Sequence, residues 1–62
     1  MPNSLKYEGV SWNCDVVVEQ TEKQFVEENL NNQYREYKES DQRKLLKEAY
    51  RLIKSNYKNS KI

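Results

Sequence analysis

Histidine is absent from this sequence, and cysteine, glycine, proline and tryptophan each occur once. Without histidine there is no imidazole to serve as a general base, and the single thiol of Cys14 cannot supply the ligand set of a structural zinc site. One cysteine also excludes an internal disulfide, the staple on which small secreted domains usually depend. A lone glycine, Gly9, excludes a glycine-rich phosphate loop. The longest aliphatic run, Val16-Val17-Val18, is far short of a signal-peptide core or a membrane-spanning helix. These absences predict a cytoplasmic protein with no cofactor, no metal and no membrane partner. They also argue against an enzyme: Cys14 has no base to activate it, and Glu27 and Glu28, as adjacent helix residues, point about 100° apart. Seven asparagines and eight lysines suit an AT-rich coding sequence, which hints at a bacterial or phage origin.

What is present is charge, unevenly placed. Residues 1–41 hold four cations against nine carboxylates, whereas residues 42–62 hold seven cations against Glu48 alone. The overall charge of +1 therefore hides a dipolar chain. Sixty-two residues with 35% hydrophobic content make one small domain, with a stability of about 3–5 kcal/mol unless a partner adds buried area. The aromatic fraction of 11% is high for so polar a chain and supplies the burial that a disordered tail would lack.

Read in order, residues 1–11 form an extended arm with a turn near Gly9. Residues 12–19 alternate, with Trp12, Cys14, Val16 and Val18 on one side, which predicts a short strand with those four on its buried face. Its mate is a hairpin partner from Leu5 to Val10 or a strand of another chain. The same stretch also allows the start of a helix capped by Asp15. On the strand's apolar face between Trp12 and Val16, Cys14 is a small buried hydrophobe, and Trp12 seals the core or, if exposed, anchors a partner.

Thr21-Glu22-Lys23-Gln24 has the form of a capping box, and Val26, Leu30, Tyr34 and Tyr37 share one helical face with Phe25 beside them. These features predict a helix over 22–37, weakened at Asn31-Asn32. Ser40 then caps a second helix over 41–57, followed by a frayed tail over 58–62. The expected fold is mainly α, an α+β mini-domain: an antiparallel two-helix hairpin with a short N-terminal strand or hairpin packed against it.

The second helix is the most regular segment. Leu45, Leu46, Ala49, Tyr50, Leu52, Ile53 and Tyr57 fall on one arc of about 160°, while Arg43, Lys44, Lys47, Arg51, Lys54 and Lys58 fall within about 100° on the other side. The two arcs are centred about 150° apart, so a helix on the apolar side is not expected to reach the basic one. Arg43–Lys47, Lys47–Arg51 and Lys54–Lys58 are like-charge pairs four residues apart, each unfavourable by about 0.2–0.5 kcal/mol. The candidate site is this basic arc with Tyr50 and Tyr57 at its edge as packing or stacking groups.

Three functions fit. The first is a small non-enzymatic adaptor, inhibitor or accessory subunit acting through protein–protein contact. The second is a nucleic-acid-binding accessory protein whose cations track phosphates, against which stand the acidic half and a helix pair that lacks the glycine of a helix-turn-helix. The third is a structural mini-domain whose basic arc is only solvated. Self-association is compatible with all three.

Overall fold

The computed structural model describes residues 4–60, with side chains from Ser4 to Tyr57. It is a mixed α+β arrangement of two strands, β1 (Ser4–Tyr7) and β2 (Val10–Asn13), and three helices, α1 (Cys14–Val17), α2 (Glu22–Asn29) and α3 (Glu39–Ser60). Residues 1–3 of the expected arm and 61–62 of the expected tail lie outside the described residues.

The strands pair as an antiparallel hairpin in which Leu5 faces Trp12 and Tyr7 faces Val10. Glu8 and Gly9 close it with positive φ angles of 48° and 80°. Two such residues in succession give the turn whose twist matches that of the strands. Glycine reaches this conformation freely, whereas Glu8 must be held there by the pairing on either side.

Of the strand expected over 12–19, only residues 12 and 13 are extended, in a strand that begins at Val10. It ends at Asn13, whose side-chain oxygen accepts hydrogen bonds from the amides of Asp15 (3.0 Å) and Val16 (3.4 Å) and starts a single helical turn. The cap is thus Asn13 and not Asp15. Turning the backbone there reverses the valine pattern: Val17 is buried, while Val16, expected inside, is 55% exposed. The β-branched triplet favours a strand, but two local side-chain bonds outweigh that preference.

Thr21 caps α2, its hydroxyl accepting from the amide of Gln24 at 3.1 Å. The helix stops at Asn29 instead of continuing to residue 37. Asparagines explain the stop: the side-chain amide of Asn29 donates to the carbonyl of Phe25 (2.8 Å) and that of Asn32 to the carbonyl of Glu28 (2.9 Å). The Glu28 carbonyl is one that a longer helix would have bonded to the amide of residue 32, whereas the Phe25 carbonyl lies inside α2 and gains the Asn29 side chain as a further donor. Asn31 then takes a left-handed conformation with φ 62°, and residues 30–37 run as successive turns.

Helix α3 begins at Glu39, so Ser40 lies within it and the first bridging bond is from the amide of Gln42 to the carbonyl of Lys38 (2.8 Å). The expected two-helix hairpin is not what forms. Instead α1, α2 and β1 all pack on α3, which acts as the shared wall of one core. Across that wall run Tyr34, Trp12, Phe25 and Tyr50. Trp12 meets Phe25 edge-on at 5.0 Å between ring centres, and Phe25 meets Tyr50 at 5.7 Å. Leu46, Ala49 and Ile53 of α3 and Cys14 of α1 close the core, all fully buried. Trp12, at 6% exposure, seals this core and offers no anchor to a partner.

Candidate interaction face of the long helix

Two polar residues interrupt the apolar arc of α3, and both find partners inside the molecule. Gln42, only 2% exposed, accepts from the amide of Asn31 (2.6 Å) and donates to the side-chain oxygen of Asn31 (3.2 Å) and the carbonyl of Tyr37 (2.8 Å). One side chain thereby clamps the 30–37 turns onto the helix. Asn56 donates to the sulfur of Cys14 at 3.8 Å. Both positions were visible as polar residues within a hydrophobic arc, a pattern that calls for a buried hydrogen-bond partner.

The edges of α3 are held differently. On one edge Arg43 donates to Glu27 of α2 at 2.9 Å and pairs with Glu39 at 3.2 Å, and Arg51 approaches Glu22 at 3.7 Å. The two carboxylate bonds, Glu27 first, raise the pKa of Arg43. This corrects the expectation that the acidic helix could not reach the basic arc. α2 sits over the Tyr50 side of the apolar arc, next to Arg43, and the long arginine side chains span the remaining angle. Glu22, Lys23, Val26, Glu27, Arg43 and Lys47 line a shallow groove of about 330 Å³ between the helices.

On the opposite edge the Tyr7 hydroxyl donates to Glu48 at 2.5 Å. That bond to a carboxylate, with burial and the negative field of Glu48 and Glu8 behind it, raises the Tyr7 pKa from 10.0 to about 12. Tyr34 donates to the Tyr7 carbonyl at 2.8 Å and anchors the same hairpin end from below. Its pKa is raised chiefly by burial, partly offset by the indole N–H of Trp12. That N–H has no hydrogen-bond partner of good geometry among the described residues.

Of the expected site residues, Tyr50 does not belong to the surface. It is 7% exposed, and its hydroxyl donates to the carbonyl of Gln20 at 2.5 Å. Lys54 lies over its ring at 5.4 Å, so the tyrosine supports a cation instead of stacking on a partner. Tyr57 is half-buried and packs against the core. Arg43 is half-exposed and engaged on both sides. Lys44, Lys47, Arg51 and Lys54 are exposed, and the backbone of α3 carries position 58 on the same face. Among the described residues, Lys44, Lys47 and Lys54 have no carboxylate partner.

Beyond the cations, on the Tyr7 side, the apolar arc outruns its cover. Leu52 and Tyr37 are each 44% exposed, although the sequence pattern placed both on buried faces. Tyr37, Lys44, Leu45 and Glu48 help line a depression of about 290 Å³ there. Among the described residues no group of histidine, cysteine, aspartate or glutamate is arranged to hold a metal ion, and no helix is long and apolar enough to cross a membrane. No protein-family model, curated protein or solved structure matches the chain.

Proposed function

We propose that this is a non-enzymatic binding protein, an adaptor, inhibitor or accessory subunit, that engages another protein through the outward side of α3. One observation carries the reading: among the described residues, Lys44, Lys47 and Lys54 stand exposed and without carboxylate partners on the outward side of α3, which α2 borders on one edge only. Like-charge neighbours at helical spacing destabilise a helix slightly, so the fold gains nothing from this arrangement. A protein partner is favoured because Leu52 and Tyr37 offer exposed apolar surface, Tyr37 lining one depression with Lys44 at the edge of this face. The buried sulfur of Cys14 and the lack of any histidine support a non-catalytic role.

A second reading, binding of nucleic acid, rests on the same cations as a row of phosphate contacts. The burial of Tyr50 weighs against it, because one of the two stacking groups expected beside the row is inaccessible and the other, Tyr57, is half-buried. A photoreactive residue placed at the exposed position of Ser55, in the protein's own host, separates the two. A discrete protein adduct that is missing from a control at Glu19 supports the first reading. A nucleic-acid adduct favours the second, and no adduct above the control overturns both.

A further inference from the structure

The exposed cations of α3 recur with alternating spacing: Lys44, Lys47, Arg51 and Lys54 are three, four and three residues apart, and the backbone carries position 58 four residues further along the same face. On a helix this is the spacing of a seam, a nearly straight track, and at about 1.5 Å per residue it extends roughly 20 Å. Carboxylates border the track on both sides. Glu22 and Glu27 of α2 flank it beside Arg51 and Arg43, and Asp41 and Glu48 flank it on the side of Lys44.

We infer that this seam docks an acidic helix of another protein, one bearing carboxylates at the same alternating three- and four-residue spacing. The inference rests on the protein-binding reading and specifies its partner. Three observations select the occupant. The mean step along the seam, about 5 Å, equals that of a matching acidic seam, so successive charges stay in register over its whole length. The bordering carboxylates leave only a narrow basic strip. A helix about 10 Å across fits that strip, whereas the broader phosphate surface of a duplex would also face Glu22, Glu27, Asp41 and Glu48. Finally, among the described residues the strip presents no row of rings: Tyr50 lies beneath Lys54, Tyr57 packs against the core, and the exposed Tyr37 stands only at the Lys44 end, so an unpaired nucleic-acid strand would find a single ring to stack on. A second copy of the chain does not fit, because the glutamates of its α2 (Glu22, Glu27 and Glu28) lack the alternating spacing.

The test uses the full chain and two synthetic helical peptides of about 20 residues. Their compositions are identical; one has glutamates in the alternating register and the other has them spread evenly round the helix. Binding is followed by fluorescence anisotropy and amide chemical shifts, alongside a single-stranded and a duplex oligonucleotide. The registered peptide is expected to bind about tenfold more tightly than its isomer, with shifts centred on Lys44, Lys47, Arg51 and Lys54. The double variant Lys47→Gln/Lys54→Gln is expected to weaken that binding about fivefold at an unchanged melting temperature. Equal affinity for the two peptides, tighter binding of either oligonucleotide at equal salt, or no peptide binding at all would each overturn the inference. A protein adduct from position 55 alongside any of these results would leave the broader reading standing and remove only the acidic helix.

Discussion

Residues 4–37 and α3 reach a folded state by different means. The first region is built from short pieces: a four-residue pair of strands, one helical turn and an eight-residue helix. Single polar side chains start or stop most of them, with Asn13 opening α1, Thr21 opening α2 and Asn29 and Asn32 closing it. α3 runs 22 residues with a long apolar face that Gln42 and Asn56 interrupt. Local hydrogen bonds decide the conformation where no piece is long enough to be stable alone; hydrophobic periodicity decides it where one piece is long. The contrast extends to surfaces. The first region spends its polar groups on its own architecture, whereas α3 keeps a row of them for solvent.

If α3 is the wall of the core, its inner face is where substitution is most harmful. Ile53→Ala removes a fully buried side chain and is expected to lower stability by about 2–4 kcal/mol, most of what a domain of this size has. Urea unfolding measures it directly. A midpoint near that of the parent would mean that α1 and α2 hold together without the wall.

The Gln42 clamp joins the two regions. Gln42→Leu keeps the volume but leaves the Asn31 amide and the Tyr37 carbonyl without their partner, at a cost of about 1–3 kcal/mol. Amide exchange should accelerate first over residues 30–37. Within the first region, Asn13→Ala removes the α1 cap and should cost about 1 kcal/mol. Ser40→Ala should change little, because Ser40 lies inside α3 and does not cap it. Equal effects of these two serine and asparagine changes would erase the distinction between the regions.

Those residues also show what was legible beforehand. The presence and facing of α3 could be read from the 3.6-residue period because its burial is one-sided over many turns, although the helix runs over Glu39–Ser60 and not over 41–57. The need for a mate to the strand at Trp12 could be read, but its choice between residues 5–10 and another chain stayed open; the start of α2 could be read from Thr21. The ends of the short elements could not. Asn13 and Asn29 act through bonds to atoms two to four residues away, and a propensity scale sees only poor helix formers there. The basic arc was legible as a pattern. Its partial neutralisation by Glu22 and Glu27 was not, because the position of α2 on the Tyr50 side of α3 depends on packing that spacing alone does not specify.

The hairpin's hold on α3 should respond to pH. In the folded chain Tyr7 keeps its proton to about pH 12, above its ordinary value of 10.0. The stabilisation is therefore fully present below pH 10 and is lost as pH rises from about 10 to 12, because the unfolded chain releases the proton first. Stability followed over that range should fall more steeply for the parent than for Tyr7→Phe. Parallel curves would remove the Tyr7–Glu48 bond from the account.

The most direct measurement concerns the outward row itself. Replacing Lys47, Arg51 and Lys54 together by Gln removes two cations with no carboxylate partner and one, Arg51, whose approach to Glu22 is long and exposed. Such surface contacts are worth at most about 1 kcal/mol, and relief of like-charge repulsion offsets them. The triple variant should unfold at the same urea concentration as the parent or slightly above it. A midpoint shifted down as far as that of Ile53→Ala would show that these side chains hold the fold together, and would contradict the assignment of the outward face of α3 to a partner.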